Sequence, residues 1–214
     1  MIKTGDFIKI DYTAYDDKGN AFDSTSGEIA KKMHGKEGAM LIIFGKDRLV
    51  SGLEETIGKM AKGEKAEITL SPEKAFGHRN KDMIRIMSEK EFYKSEIMPH
   101  VGLAVNLDTE QGSFMGVIKS VSGGRVLVDF NHPMADKTVR YSVTVMEVIE
   151  TSEAKIQALM EDVKVEGSVD IKDSIAEVSI SKKTEEYEVK KDYLAALIKN
   201  AIPEIKEVNT KVTD

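Results

Sequence analysis

The residue types that usually carry chemistry are few in this chain and do not cluster. There is no cysteine, which excludes thiolate ligation, thiol nucleophiles and disulfides. The four histidines, His34, His78, His100 and His132, are scattered without the i, i+4 pairing or carboxylate company that metal ligation needs, so no metal is expected. What remains is mostly aromatic. Tyr12 and Tyr141 stand in alternating, strand-like stretches, and Phe22 is followed directly by Asp23. Such aromatics ordinarily serve as core or half-buried sheet residues, and a carboxylate ahead of Ser24 and Thr25 ordinarily belongs to a turn or cap. A functional role for them needs a reason beyond their own spacing.

The elements that would position these residues follow from patterning. Residues 6–15 alternate, with Ile8, Ile10 and Tyr12 on one face, and the Asp17-Lys18-Gly19 turn leads into 20–24, a β-hairpin. The polar, glycine-punctuated stretch 26–38 offers no element, and Ala39 to Phe44 reads as a buried strand. Leu49, Leu53, Ile57 and Met60 form the stripe of one amphipathic helix that Gly63 stops. Ala66, Ile68 and Leu70 alternate up to Ser71-Pro72, and the next strand of that character is Val139 to Ile149. The excursion between them is too long for a loop, because structureless connections beyond about 12 to 15 residues are uncommon. Within it Ser88 and Glu91 have capping-box spacing for a helix at 89–95, and strands are expected around Val101 to Leu107, Val117 to Val121 and Val126 to Phe130. From Thr151 the pattern changes again. Helices are expected at Ile156 to Val163 and Tyr193 to Ala201, with strands at Ile175 to Ile180, Glu186 to Val189 and Ile205 to Val212.

Bulk properties narrow the function. With 31 basic against 37 acidic residues and a net charge of -6, no basic surplus exists to neutralise phosphates, so nucleic acid is not an expected partner. The amino terminus lacks a signal-peptide core and no window approaches the ~20 apolar residues that span a bilayer. Together with the absence of cysteine, this predicts a cytoplasmic protein with no membrane contact.

Several motifs in register carry a resemblance. Ile10-Asp11-Tyr12-Thr13, Asp17-Lys18-Gly19 and Phe22-Asp23-Ser24-Thr25 resemble the opening of FKBP-type peptidyl-prolyl cis-trans isomerases. Phe44-Gly45, Gly52-Leu53-Glu54, Gly58-Lys59-Met60, Gly63-Glu64, Ser71-Pro72-Glu73 and Ala75-Phe76-Gly77 match further elements of that family in order and near spacing. Asn131-His132-Pro133-Met134-Ala135 is similar to the return motif of the SlyD-like branch, whose flap carries an inserted domain, and the carboxy-terminal segment resembles its long archaeal members. Phe76 stands where the family often has tyrosine, Leu53 where the short eukaryotic type has tryptophan, and Asp136 where the return motif has glycine.

The resemblance implies an α+β fold: an antiparallel curved β-sheet around a short helix, with an inserted β-rich minidomain and a small C-terminal α/β domain. The corresponding segments are 1–77 with 130–150, 78–129, and 151–214. It implies rotation of X-Pro bonds in unfolded or nascent chains, without covalent intermediate, metal or cofactor. Tyr12, Phe22, Leu49, Val50, Leu53, Phe76 and Tyr141 would line a cup for the proline ring, with Met40, Ile42 and Met134 at its edges. The Val50 amide would hold a substrate carbonyl, and Asp23, near the Tyr12 hydroxyl, would act electrostatically.

In the insert, Met83, Ile84, Ile86, Met87, Phe92, Met98 and Phe114 either include a set left exposed to catch unfolded segments or fill the minidomain's own core. Residues 151–214 are near the size where a core alone is marginal. They are expected to dock on the rest of the chain or to pair two copies as a homodimer. A non-catalytic holdase on the same scaffold is the alternative function.

Overall fold

Alternation at the amino terminus produces the expected hairpin: β1 (Phe7–Tyr15) and β2 (Ala21–Ser24) pair antiparallel, with Thr13 opposite Ser24 and Ala14 opposite Asp23. The computed structural model describes residues 1–47, 49–109 and 112–213. They divide into two compact units, 1–70 with 140–214, and 71–139.

In the first unit β3 (Met40–Ile43) pairs with the opening half of β1, setting Ile42 opposite Ile8 and Met40 opposite Ile10. β9 (Val139–Ile149) pairs along all of β1, and β4 (Lys65–Leu70) follows it, giving the order β2-β1-β9-β4 with β3 also on β1. Between β2 and β3 the stretch read as element-free contains a helix, α1 (Gly27–His34), which buries only Ala30. One buried residue makes no stripe, so periodicity had nothing to detect. α2 (Ser51–Ile57) is shorter than its apolar stripe. After Gly58 the chain tightens to i→i−3 bonds, Lys59 to Thr56 and Met60 to Ile57, which still bury Met60. Gly52 lets α2 approach β4 closely, since a Cβ there would push the Leu70 side chain aside.

Residues 151–214 form α4 (Ser152–Asp162), β10 (Gly167–Lys172), β11 (Ile175–Ser181), α5 (Tyr187–Ala201) and β12 (Glu207–Thr213). β10 and β11 are antiparallel, and α5 carries the chain across to β12, parallel to β11. The expected strand at Glu186 to Val189 is instead the start of α5, whose buried Leu194 and Ile198 prolong a helical stripe. β10 escaped sequence reading because only Val169 and Ile171 are apolar among polar neighbours.

The core of this segment is continuous with the five-stranded sheet: Ile156, Leu159, Met160, Leu194 and Ile198 share one cluster with Phe7, Ile43 and Ile149. Lys9 Nζ meets Glu161 at 3.4 Å, and Lys46 Nζ donates to the Asn200 carbonyl at 2.7 Å. β1 is therefore buried on both faces at its start, where Phe7 and Ile8 are each fully enclosed.

The second unit holds β5 (Ile84–Ser88), α3 (Glu89–Lys94), β6 (Ala104–Thr109), β7 (Gly112–Ser122) and β8 (Arg125–Asp129), with sheet order β5-β8-β7-β6. The capping box forms as its spacing predicts, and the Ser88 amide donates to Glu91 at 3.2 Å. Phe92, Val105, Ile118, Val126, Val128 and Phe130 make its core.

The unit's limits fall outside 78–129 because its two connections are laced together. Arg79 pairs with Asp129, the Asn80 amide donates to Asn131 Oδ1 at 2.7 Å, and Asn131 Nδ2 returns a bond to the Asn80 carbonyl at 3.0 Å. The Asp136 amide donates to Gly77 at 2.9 Å. Asp136 has φ +66°, the left-handed conformation that favours glycine and that Asp tolerates better than most residues.

Candidate active site

Register puts three of the sequence candidates in one neighbourhood. Ala14 faces Asp23 on β2 and Tyr141 on β9, while Tyr12, two residues earlier on the same side of β1, faces Val143. Between Asp23 and Tyr141 the strand offers only an alanine methyl. The Tyr12 hydroxyl donates to Asp23 Oδ2 at 2.8 Å, and the Tyr12 and Tyr141 rings lie 6.2 Å apart at 44°. Residues following Asp23 fix the main chain of Tyr12: its amide donates to Thr25 Oγ1 at 2.9 Å and its carbonyl accepts from the Thr25 amide at 3.0 Å.

The electrostatics follow from burial. Enclosure pushes the Tyr12 phenol well above its ordinary range, and the hydrogen bond to Asp23 adds to it. Tyr141 is pushed up to about 12, first by burial and then by the Asp23 charge. Both phenols stay protonated at neutral pH, and Tyr12 already donates its proton within the site. Such a group orients and polarises; it does not transfer protons.

Sequence reasoning missed a fourth member. His34, the last residue of α1, sets Nε2 2.8 Å from Asp23 Oδ1. No local signal marks it, because it lies eleven positions from Asp23 in a stretch that reads as loop.

Of the remaining candidates in this unit, Leu53 and Ile42 are buried, and Phe22, Leu49, Val50 and Met40 are half-buried. Val50 is the extended residue that opens α2. Phe76 and Met134 belong to the second unit. There Phe76 stacks on His132 with centroids 4.1 Å apart and planes at 1°, and the Met134 amide donates to His132 Nδ1 at 3.1 Å. His132 thus supports two residues assigned to the cup, a role that the likeness of Asn131-His132-Pro133-Met134-Ala135 to the return motif did not contain. His78 hydrogen-bonds through both ring nitrogens, to Glu73 at 2.8 Å and Asp136 at 2.9 Å, carboxylate company that its sequence spacing did not show.

The apolar residues singled out in the insert separate into two groups. Phe92, left open from sequence between an exposed set and the core, is 5% exposed in the core, and Met83 and Met87 pack half-buried against that core. Phe92 is the buried residue of helix α3. Ile86 at 67%, Met98 at 78% and Phe114 at 36% face solvent, as do Tyr93, Val101 and Met115, which sequence reading did not single out for this set.

Comparison with known proteins identifies the scaffold. Residues 1–93 match the FKBP-type peptidyl-prolyl cis-trans isomerase family, and residues 85–134 match the FKBP26 IF domain. The chain is 31% identical over 153 residues to a short-type peptidyl-prolyl cis-trans isomerase of Methanocaldococcus jannaschii, covering 69% of this chain and 94% of that protein. It is 34% identical over 133 residues to the FKBP-type 16 kDa peptidyl-prolyl cis-trans isomerase of Escherichia coli, covering 62% and 87%. To the FKBP-type isomerase SlyD of Treponema pallidum it is 27% identical over 153 residues, covering 72% and 81%.

Proposed function

Since the chain belongs to the FKBP-type peptidyl-prolyl cis-trans isomerase family, we propose that its catalytic hollow is built on Tyr12, Asp23 and Tyr141, with Phe22, Leu49, Val50 and Leu53 lining it. The protein is a peptidyl-prolyl cis-trans isomerase acting on proline-containing polypeptides. The observation that carries the site is the Tyr12 hydroxyl held at 2.8 Å by Asp23 beside the buried Tyr141 ring.

Rotation about an X-Pro bond is slow because resonance holds the amide planar, with a barrier of ~18–20 kcal/mol. No bond need break to lower it. A twisted amide has lost resonance and much of its dipole, so a hollow that excludes water disfavours the planar ground state more than the transition state. Each 1.36 kcal/mol is tenfold in rate, so a roughly ten-thousandfold gain needs about 5.4 kcal/mol. Apolar walls with a few aimed polar groups are sufficient for that. Asp23 supplies a fixed negative charge on the carbonyl-carbon side of the twisting amide, and the Val50 amide a donor for a substrate carbonyl. Met40 and Ile42 complete the rim.

The insert adds capture of unfolded or nascent chains through Ile86, Met98, Phe114 and their exposed neighbours Val101 and Met115, whose flexible methionines suit varied clients. Phe92 has no part in that surface. Holding a client there raises the concentration of its prolines at the catalytic hollow.

The test is exchange of a short X-Pro peptide. Tyr12→Ala and Asp23→Ala should each lower kcat/KM at least tenfold, and replacing 78–129 by a short loop should leave this rate close to the parent's. Full activity in folded Asp23→Ala would remove the assignment.

A further inference from the structure

We infer that His34 is a positioning residue for the isomerisation, acting through Asp23, an assignment that rests on the reading of Tyr12 and Asp23 given above. Asp23 presents two oxygens and both are held: Oδ2 accepts from the Tyr12 hydroxyl and Oδ1 faces His34 Nε2, each at 2.8 Å. An ionised carboxylate only accepts, so Nε2 carries the proton in this contact.

Two donors from different elements, one on β1 and one on α1, fix the carboxylate in place and in rotation. With Tyr12 alone the group could swing about its Cβ–Cγ bond, a broad and soft torsion. Asp23 is 24% exposed, so water would take the vacant oxygen. Water holds a charge without fixing its direction. In a mechanism that depends on a preorganised field, direction is the quantity that matters.

The surroundings of His34 are built to hold it. It ends α1, and Gly35 follows in the left-handed conformation with its amide bonded to the Lys31 carbonyl at 3.0 Å. Three residues on, the Gly38 amide donates to Thr25 at 3.0 Å, returning the segment to the strand end that carries Asp23. Helix α1 buries only Ala30, so it contributes little to the core. Its most specific contact is the one His34 makes.

A double-mutant cycle on the full chain, read by peptide exchange, tests this. His34→Ala should lower kcat about tenfold, the scale of one hydrogen bond to a charged group, with KM unchanged. On an Asp23→Ala background it should lower the rate no further. His34→Gln, whose amide nitrogen reaches the same oxygen as a donor, should restore most of the rate. A His34→Ala enzyme as fast as wild type, an equal fall on both backgrounds, or a folded Gln variant no better than Ala would each overturn the inference. Retention of full activity by Asp23→Ala sinks the site reading itself; a slow Asp23→Ala beside a normal His34→Ala sinks only the role of His34.

Discussion

Two of the three sheets among the described residues, the five-stranded and the four-stranded, differ in how fully they are enclosed. β1 of the five-stranded sheet is enclosed from both sides: Ile8, Ile10 and Tyr12 point one way, while Phe7 points the other into a cluster shared with α4 and α5. The four-stranded sheet of 71–139 closes over a small core and leaves Ile86 and Met115 on its strands open to solvent. Enclosure on both sides gives rigidity, which a preorganised site needs. Incomplete enclosure leaves apolar surface available, which the proposed capture of unlike clients would use.

The comparison breaks most easily at the outer face of the first sheet. Ending the chain at residue 150 uncovers Phe7, Ile43 and Ile149, and burial of such side chains is worth roughly 1.5–3 kcal/mol each. A domain is stable by only about 5–15 kcal/mol, so the truncated chain should melt at least about 10 °C lower and expose dye-binding surface. An unchanged melting temperature would mean that the shared cluster adds nothing to the enclosure of β1.

The second sheet is expected to separate binding from stability. Replacing Ile86, Met98 and Met115 together by serine should reduce suppression of aggregation of a proline-free unfolded client several-fold. Each exposed site should alter stability by no more than about 0.5 kcal/mol, with peptide exchange untouched. Phe92→Ala sharpens the contrast from the other side, because emptying that core position should cost about 3–5 kcal/mol. If the triple serine variant protects the client as well as wild type, the exposed set is not a capture surface.

Much of this division was legible in sequence, and the exceptions have physical causes. Alternation in β1 and β9 found the five-stranded sheet, and Ser88 with Glu91 found the start of α3. The adjacency of Phe7 and Ile8 already breaks the alternation of a one-sided strand; it was the available sign that 151–214 docks on the sheet's outer face. His34 carried no such sign, since a hydrogen bond between a helix end and a distant strand has no period. The lacing of Asn80 to Asn131 was invisible for the same reason. Motif register located Tyr12 and Asp23 because the family resemblance fixed their positions, and individual propensities did not.

The smallest expected effect concerns the neck of the second unit, where His78 lies between Glu73 and Asp136. The Asp136 carboxylate first, and Glu73 second, hold the imidazole above its ordinary range, and His78 in turn holds Asp136 below the usual carboxylate range. Glu73 is drawn down to about 2, chiefly by the Ser71 hydroxyl, then by its own backbone, and only then by His78. A histidine that binds its proton more tightly when folded contributes fully below its unfolded value and loses the contribution as pH rises through the folded one. Carboxylates held low behave in the opposite sense, contributing above their unfolded values and failing as acid protonates them. The clamp is therefore complete between about pH 4.5 and 6.5 and weakens on either side. All three side chains face water, so screening keeps the effect slight and stability is a poor readout. An NMR titration of the His78 ring reads it directly: the midpoint should lie above about 6.5 in the wild type and move down in Asp136→Asn, a change that still tolerates the left-handed backbone at that position. A wild-type midpoint that Asp136→Asn leaves in place would show that the neck is not laced through this histidine, and its lacing would then rest on Arg79, Asn80, Asn131 and the main-chain bond from Asp136 to Gly77.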